Sequence, residues 1–401
     1  MRKGVAGLVA TTVAVLSSAA YAASNIAPLP PPYIGAYQPV GVDEIGAWRE
    51  ADEDERMLVN SPIVIRDEAL NAYVRQVLCN TVGNDRCKAA RIYIMRVPVF
   101  NASMSPNGTM RVNSGLLLRM RNEAELATIL GHEFGHFERR HTLMKWKATR
   151  SATDLLSWAQ VFAALGNSYQ SHTNFNDLEL SVYGRIYRFG RDQEREADAL
   201  GLGYLNASAL RPQAASAVWQ NLMNEQEASA SAKGVKKPNF TKIAFFASHP
   251  PEGERAAAMM TLADPAGENR ENGAARYAAA LAPLLPSFLD DQIKLNDFGA
   301  SDYILSALAI NGWTARLLLA RGDLYRARGN PRDLVQAAEF YGKAVEVDAT
   351  MPEAQRGLGL SLIKTGRRTE GQAALQRYLE LKPNAADAAM IKMLAPAAGG
   401  Q

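Results

Sequence analysis

The sequence has few cysteines, almost no excess of charge of either sign, and no long apolar run beyond its N-terminus. Its 401 residues include only Cys79 and Cys87, which excludes a zinc finger held by four thiolates. Without Arg2 and Lys3, which lie in a segment that we expect to be removed, 42 basic residues face 41 acidic ones. A net charge near +1 gives no support for nucleic-acid binding, so we expect no nucleic-acid partner.

Apolar stretches beyond the N-terminus are too short to span a bilayer. A helix is predicted over 143–165, and the longest uncharged stretch there, residues 155–167, numbers 13, whereas a transmembrane helix needs about 20. Lys145 and Lys147 precede this stretch. A buried helix is one interpretation. A helix lying on a membrane surface is the other, and it would give the protein a peripheral membrane contact.

Residues 1–22 are typical of a secretory signal peptide. A charged start precedes an apolar stretch over residues 5–16, and Ala20-Tyr21-Ala22 fits an A-x-A cleavage site. A retained N-terminal anchor is the alternative. The proline-rich residues 23–42 are predicted to form an extended linker.

The signal implies an oxidising compartment, and this affects how the two cysteines are interpreted. Cys79 and Cys87 are eight residues apart, close enough for a disulfide that closes a small loop. Two unpaired thiols are the alternative. No second pair of cysteines exists to complete a zinc site with them.

The segment His132-Glu133-Phe134-Gly135-His136 carries the strongest chemical pattern in the chain. Residues four apart lie on the same face of a helix, so His132 and His136 can bind one Zn²⁺ between two imidazoles. Glu133 is then placed to act as general base on a water activated by the zinc. Asn122 is predicted to cap the start of this helix. The pattern predicts a zinc hydrolase.

A catalytic zinc needs a third protein ligand, and three residues are candidates for that role. His141 lies about 140° round the helix from His136 and is expected to point elsewhere, as a structural or helix-end histidine. His172 falls in a predicted loop at 167–176 and is expected at the surface. Glu194, on a separate predicted helix over 178–205, is favoured. Asp198, four residues later, could hydrogen-bond a ligand imidazole, although a solvated charged face would also explain Glu194.

The remaining chain predicts a mostly helical α+β protein. Strands are expected within residues 91–100, ending near Pro98, and over 109–113, directly before the metal-binding helix. From residue 313 onward, segments 345–348 and 379–382 align at an offset of 34, which is typical of tetratricopeptide repeats. Residues 330–335 are expected to lengthen the first inter-helix turn. A generic array of helical hairpins is the alternative.

Two motifs together resemble a known family. His132–His136 followed by Glu194-Arg-Glu-Ala-Asp198-Ala-Leu-Gly resembles the HtpX and CAAX-prenyl-protease group of gluzincins, zinc metallopeptidases of peptidase family forty-eight. Asn101-Ala102 is similar to the edge-strand segment of that family, and His249-Pro250 with Arg255 is similar to its late H-P-x-x-x-x-R element. The resemblance implies one zinc ion held by His132, His136 and Glu194, with Glu133 as base and Asp198 behind a ligand.

The resemblance is greatest to periplasmic, BepA-like members that join the peptidase to a tetratricopeptide domain. It implies a gluzincin metallopeptidase domain at 43–265, a helical connector at 266–310 and a TPR-like repeat domain at 311–396. In such members the late histidine can occupy the fourth zinc position and hold the enzyme latent. His249 has that role or is a loop residue packed near the site. Arg255 is expected to contact substrate or a nearby carboxylate.

The expected function is that of a periplasmic zinc metalloendopeptidase that cleaves unfolded or misassembled envelope proteins. Its repeats would recruit a substrate or an envelope-assembly partner. The main alternative is a chaperone or assembly scaffold for outer-membrane proteins, with a latent or silent zinc site. Another zinc hydrolase, such as an amidase, is a second alternative.

Overall fold

The computed structural model describes residues 38–396, apart from 167–168 and 243–249. The predicted signal peptide and residues 23–37 of the predicted linker lie outside this part of the chain, and so does His249. From Gln38 onward the described residues form one compact unit. That unit is mostly helical with one small sheet, as the sequence predicts.

Within the described ranges, eight helices and three strands precede the break at 243–249. They are α1 Val42–Val59, α2 Glu68–Val82, α3 Asn84–Cys87, β1 Arg91–Met95, β2 Ala102–Met104, β3 Thr109–Asn113, α4 Ser114–Arg119, α5 Glu123–Glu138, α6 His141–Gly166, α7 Tyr169–Ala207 and α8 Ala214–Lys233. After the break come α9 Glu252–Leu262, α10 Ala274–Leu281, α11 Leu285–Lys294, α12 Phe298–Leu308, α13 Ala315–Arg328, α14 Pro331–Val347, α15 Pro352–Lys364, α16 Arg368–Leu381 and α17 Ala388–Leu394.

The sheet has the order β1-β3-β2, so β2 is an edge strand. β1 runs parallel to β3 with Arg91 opposite Thr109, whereas β2 runs antiparallel to β3 with Ala102 opposite Val112. The strand predicted to end near Pro98 is too long. β1 ends at Met95, and the chain then turns and passes through Pro98, which lacks the N–H that would continue a ladder.

Helix α2 shows how local sequence positions the core. The Asp67 side chain accepts a hydrogen bond from Leu70 N at 2.8 Å and so caps the helix start. Leu70, Val74 and Leu78 are fully buried on one face, as their spacing predicts. A disulfide joins Cys79 in α2 to Cys87 in α3.

Helix α5 carries the H-E-x-x-H segment and is fixed at its start by two hydrogen bonds. The Asn122 side chain accepts from Glu125 N at 2.9 Å, and the Glu125 carboxylate accepts from Arg121 N at 2.9 Å. This arrangement resembles a capping box, except that the Glu125 carboxylate accepts from Arg121, the residue before the cap, and not from Asn122 N. The predicted cap at Asn122 is confirmed, and the helix that follows is buried on nearly all sides.

Helix α7 starts earlier than predicted. The structure continues it from Tyr169 to Ala207, so the loop expected at 167–176 is wrong from residue 169 onward. The first fifteen residues of α7 contain no Gly or Pro. Polar residues such as Gln, Ser and Asn lower helix stability by only tenths of a kcal/mol each. A polar segment without Gly or Pro is therefore compatible with a helix. No helix within the described ranges is long and apolar enough to cross a membrane.

The C-terminal helices α13–α16 form two successive antiparallel-type hairpins with short connections. α13 and α14 are separated by residues 329–330, and α15 and α16 by residues 365–367. The expectation that residues 330–335 lengthen the first turn is wrong. Pro331 begins α14, so the extra residues extend that helix to 17, against 14 in α16.

Candidate metal centre

Helices α5 and α7 cross closely at the residues of the predicted site. A Cβ built on Gly201 of α7 would lie 2.7 Å from His132 N, and one built on Gly131 would lie 3.3 Å from Gly201 O. Only hydrogen at these positions lets the two backbones approach so closely. The crossing brings the face of α7 that carries Glu194 and Asp198 against the histidines of α5.

Three donor groups converge at this crossing. His132 Nε2 and His136 Nε2 are 3.1 Å apart, and each lies 3.5 Å from one carboxylate oxygen of Glu194. A tetrahedral zinc with bonds of about 2.0–2.1 Å separates its ligand atoms by roughly 3.3–3.4 Å. The observed separations are close to this value, with Glu194 Oε2 facing His132 and Oε1 facing His136, so the three groups can converge on one ion. Two imidazoles and one carboxylate are also a donor set that zinc accepts.

Behind His132 lies a buried chain of charged groups. His132 Nδ1 donates to Asp198 Oδ1 at 2.8 Å, which leaves Nε2 facing Glu194. The guanidinium of Arg255 in α9 donates to both oxygens of Asp198, at 2.8 and 2.5 Å. Arg255 also lies over the ring of Trp219, 3.5 Å from its centroid. Asp198 and Arg255 therefore fix the orientation and tautomer of His132.

The two histidines have opposite electrostatic environments. Burial opposes charge on His132, yet the hydrogen bond and charge of Asp198, together with Glu194, raise the pKa of His132 to about 9. Burial and the neighbouring charge of His132 lower the pKa of His136 to about 3. The carboxylates thus favour positive charge at this point of the structure, a preference that a divalent cation also satisfies.

Residues 64–263 match the family model described as Peptidase family M48. This segment contains both histidines, Glu194, Asp198 and Arg255. The chain belongs to peptidase family M48. The resemblance drawn from the two motifs is thereby confirmed.

Curated relatives carry related names. The chain is 28% identical over 164 residues to mitochondrial metalloendopeptidase OMA1 of Schizosaccharomyces pombe, covering 41% of this chain and 44% of that protein. It is 32% identical over 159 residues to metalloprotease YcaL of Escherichia coli K12, covering 39% and 55%. It is 22% identical over 299 residues to the beta-barrel assembly-enhancing protease of E. coli K12, covering 73% and 54%. The chain thus spans about half the length of these three relatives.

A cavity of about 730 Å³ opens on the metal centre of the M48 segment. Its wall includes His132, Glu133, His136 and Glu194, and also the edge strand β2. Glu133 is half-buried and follows directly after His132 on α5. A carboxylate at this position reaches the space beside a metal held by the two histidines without being one of the three converging groups.

His141 is not one of the three converging groups, as the sequence predicts, but its side chain points to the same site rather than elsewhere. Its Nδ1 lies 2.9 Å from His136 Nδ1, and its Nε2 lies 3.3 Å from Glu196 Oε2. When His136 presents an unprotonated Nε2 to a metal, its Nδ1–H donates to His141, and His141 Nε2–H donates to Glu196. His141 and Glu196 thus fix the orientation and tautomer of His136, as Asp198 and Arg255 fix those of His132.

The error about His141 has a local cause. The helical angle of about 140° holds only while the helix continues, but α5 ends at Glu138. Arg140 then adopts φ +56°, a left-handed conformation that turns the chain back toward His136. Glu44 pairs with Arg140 at 2.8 Å, and both side chains are buried, so this turn is held in place. The closeness of His141 in sequence to the H-E-x-x-H segment is the feature that points to its contact with His136.

The predictions for Arg255, His249 and His172 differ in how far the described residues test them. Arg255 contacts a carboxylate, that of Asp198, which was one of the two roles left open for it. His249 lies outside the described residues, although Pro250 lines the cavity. The side chain of His172 also lies outside the described part of α7.

Proposed function

We propose that this protein is a zinc-dependent metalloendopeptidase whose single zinc ion is held by His132, His136 and Glu194. The observation that carries the proposal is the convergence of these three groups at separations close to those around one tetrahedral ion. Glu133 beside them, in the wall of the same cavity, supplies the group that hydrolysis requires. Family membership supports the reaction class.

Each residue of the site would have a defined role in hydrolysis. When bound, zinc supplies Lewis acidity toward the scissile carbonyl and lowers the pKa of a water. Glu133 takes the proton of that water during attack and delivers it to the leaving amine. Asp198 and His141 hold the two ligand imidazoles in the tautomers that present Nε2. Because Arg255 is held by Asp198 and Trp219, we assign it to positioning rather than to direct substrate binding.

Peptides are the substrates that the cavity fits best. β2 is an edge strand, and its residues 102–104 line the cavity together with the metal centre. An extended peptide can add to such an edge through backbone hydrogen bonds and lie across the zinc. This geometry favours a peptidase over an amidase that acts on a compact substrate.

The cellular setting is proposed from the sequence and the relatives' names. A signal over residues 1–22 would deliver the protein to the periplasm. One relative is named for the assembly of β-barrels, which supports clients among unfolded or misassembled envelope proteins. We propose that residues 43–265 form the peptidase domain and 266–310 the connector. Residues 311–396 would form a TPR-like domain that recruits substrates or an assembly partner.

His249 is proposed as a regulatory fourth ligand, by resemblance to the late element of the family. Pro250, the next residue in the sequence, lines the cavity. His249→Ala should then raise the rate of β-casein cleavage while zinc stays bound. An unchanged rate would assign His249 to the loop alone.

The decisive test of the function is Glu133→Gln. The variant should bind one zinc per chain, measured by elemental analysis, and lose β-casein cleavage. The wild type, or His249→Ala if the wild type is latent, should lose cleavage with a chelator and regain it with Zn²⁺. The matched control is Glu346→Gln on an exposed part of α14, which should cleave like the wild type. Turnover by Glu133→Gln near the wild-type rate would refute the proposal.

The alternative of a chaperone or scaffold makes a different prediction. If it holds, the wild type and His249→Ala leave β-casein intact with zinc bound, while client proteins still associate. Clients trapped on Glu133→Gln in cells and identified by mass spectrometry would name the substrates. The same clients should accumulate uncut when the wild type is absent.

A further inference from the structure

Helix α11 lies outside the M48 segment, which ends at residue 263, yet Leu295, the residue that follows it, lines the cavity. Asp291 forms a two-bond ion pair with Arg96, at 2.6 and 3.0 Å, just after strand β1. Gln292, which is buried, accepts a hydrogen bond from Arg119 at 3.1 Å. α11 is therefore fixed to the M48 segment at two consecutive residues.

Arg119 links this attachment to the cavity wall. Its guanidinium pairs with Glu225 of α8 at 2.7 Å, and both side chains are largely buried. The same guanidinium donates to Gly115 O at 2.9 Å. Arg119 and Glu225 both line the cavity. Because each charge satisfies the other, this part of the wall has no net charge to offer a ligand.

Leu295 follows directly after α11 and lines the same cavity. Its backbone N–H is held by Gln292 O at 3.1 Å. Among the large apolar side chains that are exposed in the described ranges, two line the cavity: Leu295, 43% exposed, and Val99, 53% exposed. Leu222 of α8 lines the cavity as well and is partly buried. Apolar surface that is exposed inside a cleft gains free energy when a ligand covers it.

We propose that Leu295, Val99 and Leu222 form an apolar subsite that binds a non-polar side chain of the substrate away from the scissile bond. Leu295, which follows α11 and lies outside the M48 segment, would then set part of the specificity. Val99 lies three residues before β2, which is up to about 10 Å along an extended chain. A peptide paired with β2 would reach this subsite with a side chain beyond the paired residues. The inference rests on the proposed peptidase function, since it concerns the same cavity.

The test maps cut sites in β-casein by mass spectrometry for the full-length wild type and four variants. If the wild type is latent, all are made in the His249→Ala background. In the wild type, one position at some distance from the cut bond should be enriched in apolar residues. Leu295→Ala should reduce that enrichment by about tenfold, the usual worth of a small apolar difference in a pocket. Leu295→Glu should instead enrich Lys and Arg at that position, and Leu295→Met should keep the wild-type profile.

Ile310→Glu is the matched control, because Ile310 is 74% exposed and does not line the cavity among the described residues. It should keep the wild-type profile. Identical profiles in all variants would overturn the inference. So would a uniform loss of rate in the Leu295 variants with no change in the profile, since that result indicates a structural role.

A binding experiment separates this inference from the proposed function. Peptides that tile β-casein are arrayed and probed with Glu133→Gln, with and without Leu295→Glu. A shift of the bound set from apolar to basic peptides supports the subsite even if the wild type cuts nothing. An unchanged set, or no peptide bound, overturns it.

Discussion

The crossing of α5 and α7 and the hairpins of α13–α16 use charge in opposite ways. At the crossing, Asp198 and Arg255 are joined across 57 residues of sequence, and their side chains are 10% and 6% exposed. In the hairpins, Arg367 and Glu370 are three residues apart and 57% and 58% exposed. Buried ion pairs require compensation for lost hydration, whereas exposed pairs contribute little either way.

This difference shows where the fold tolerates the cost of removing charged groups from water. A buried pair made of distant residues fixes one geometry, because either charge left alone would be strongly unfavourable. The exposed Arg367–Glu370 pair imposes no such requirement. The contacts of the hairpins come from small residues against large ones, such as Gly322 and Gly357, whose added Cβ atoms would each meet the ring of Tyr341 at 2.6 Å. Four predictions test the comparison, in order of decreasing effect.

Removing one buried charge should have the largest effect. Asp198→Ala leaves Arg255 without its two hydrogen bonds and should lower the free energy of unfolding by about 3 kcal/mol. Zinc affinity should fall about 10- to 100-fold, because His132 loses its partner. Urea unfolding and competition with a chelator measure the two effects. Glu370→Gln, in the exposed pair, should change neither. Equal responses of the two variants would remove the contrast between the regions.

Widening the helix crossing should have the next largest effect. Gly201→Ala places a methyl group 2.7 Å from His132 N, so the helices must separate, at a cost of about 2 kcal/mol. Gly203 lies two residues along the same helix and has no described atom within 4 Å of an added Cβ. Gly203→Ala should therefore raise stability by up to about 1 kcal/mol through helix propensity. If both variants behaved alike, close packing at the crossing would not matter.

Removing the partner of His136 should have a smaller effect, confined to the metal. His141→Ala should weaken zinc binding about tenfold, because His136 loses the acceptor that fixes its tautomer. Thr142→Ala provides the control, since Thr142 is the next residue, is exposed, and lines the same cavity. Chelator competition measures both. Wild-type zinc affinity in His141→Ala would show that the 2.9 Å contact is incidental.

The smallest effect is a dependence on pH. After zinc is removed by a chelator, His132 has a pKa of about 9, above its ordinary value of 6.5. A raised pKa stabilises the fold fully below pH 6.5, and this contribution is lost as pH rises through about 9. The urea midpoint should therefore fall between pH 7 and pH 9.5, and less so in Asp198→Asn. Zinc added at pH 7.5 should release a proton, detectable with an indicator dye in weak buffer.

The sequence alone determined which residues of the candidate site share one face of a helix. His132 and His136, like Glu194 and Asp198, are four residues apart, and helical geometry requires each pair to share a face. The cap at Asn122 and the amphipathic face of α2 are equally local and were predicted correctly. Such features follow from backbone geometry and nearest neighbours, so they can be derived without knowing the fold.

Only the tertiary structure decided which residues support those ligands. His141 reaches His136 because Arg140 reverses the chain in a left-handed conformation, which no periodicity indicates. Arg255 meets Asp198, and Leu295 reaches the cavity, through packing between helices far apart in sequence. Local sequence patterns record spacing along one element. The distance between elements depends on how all their faces pack together, here on the contact between Gly131 and Gly201.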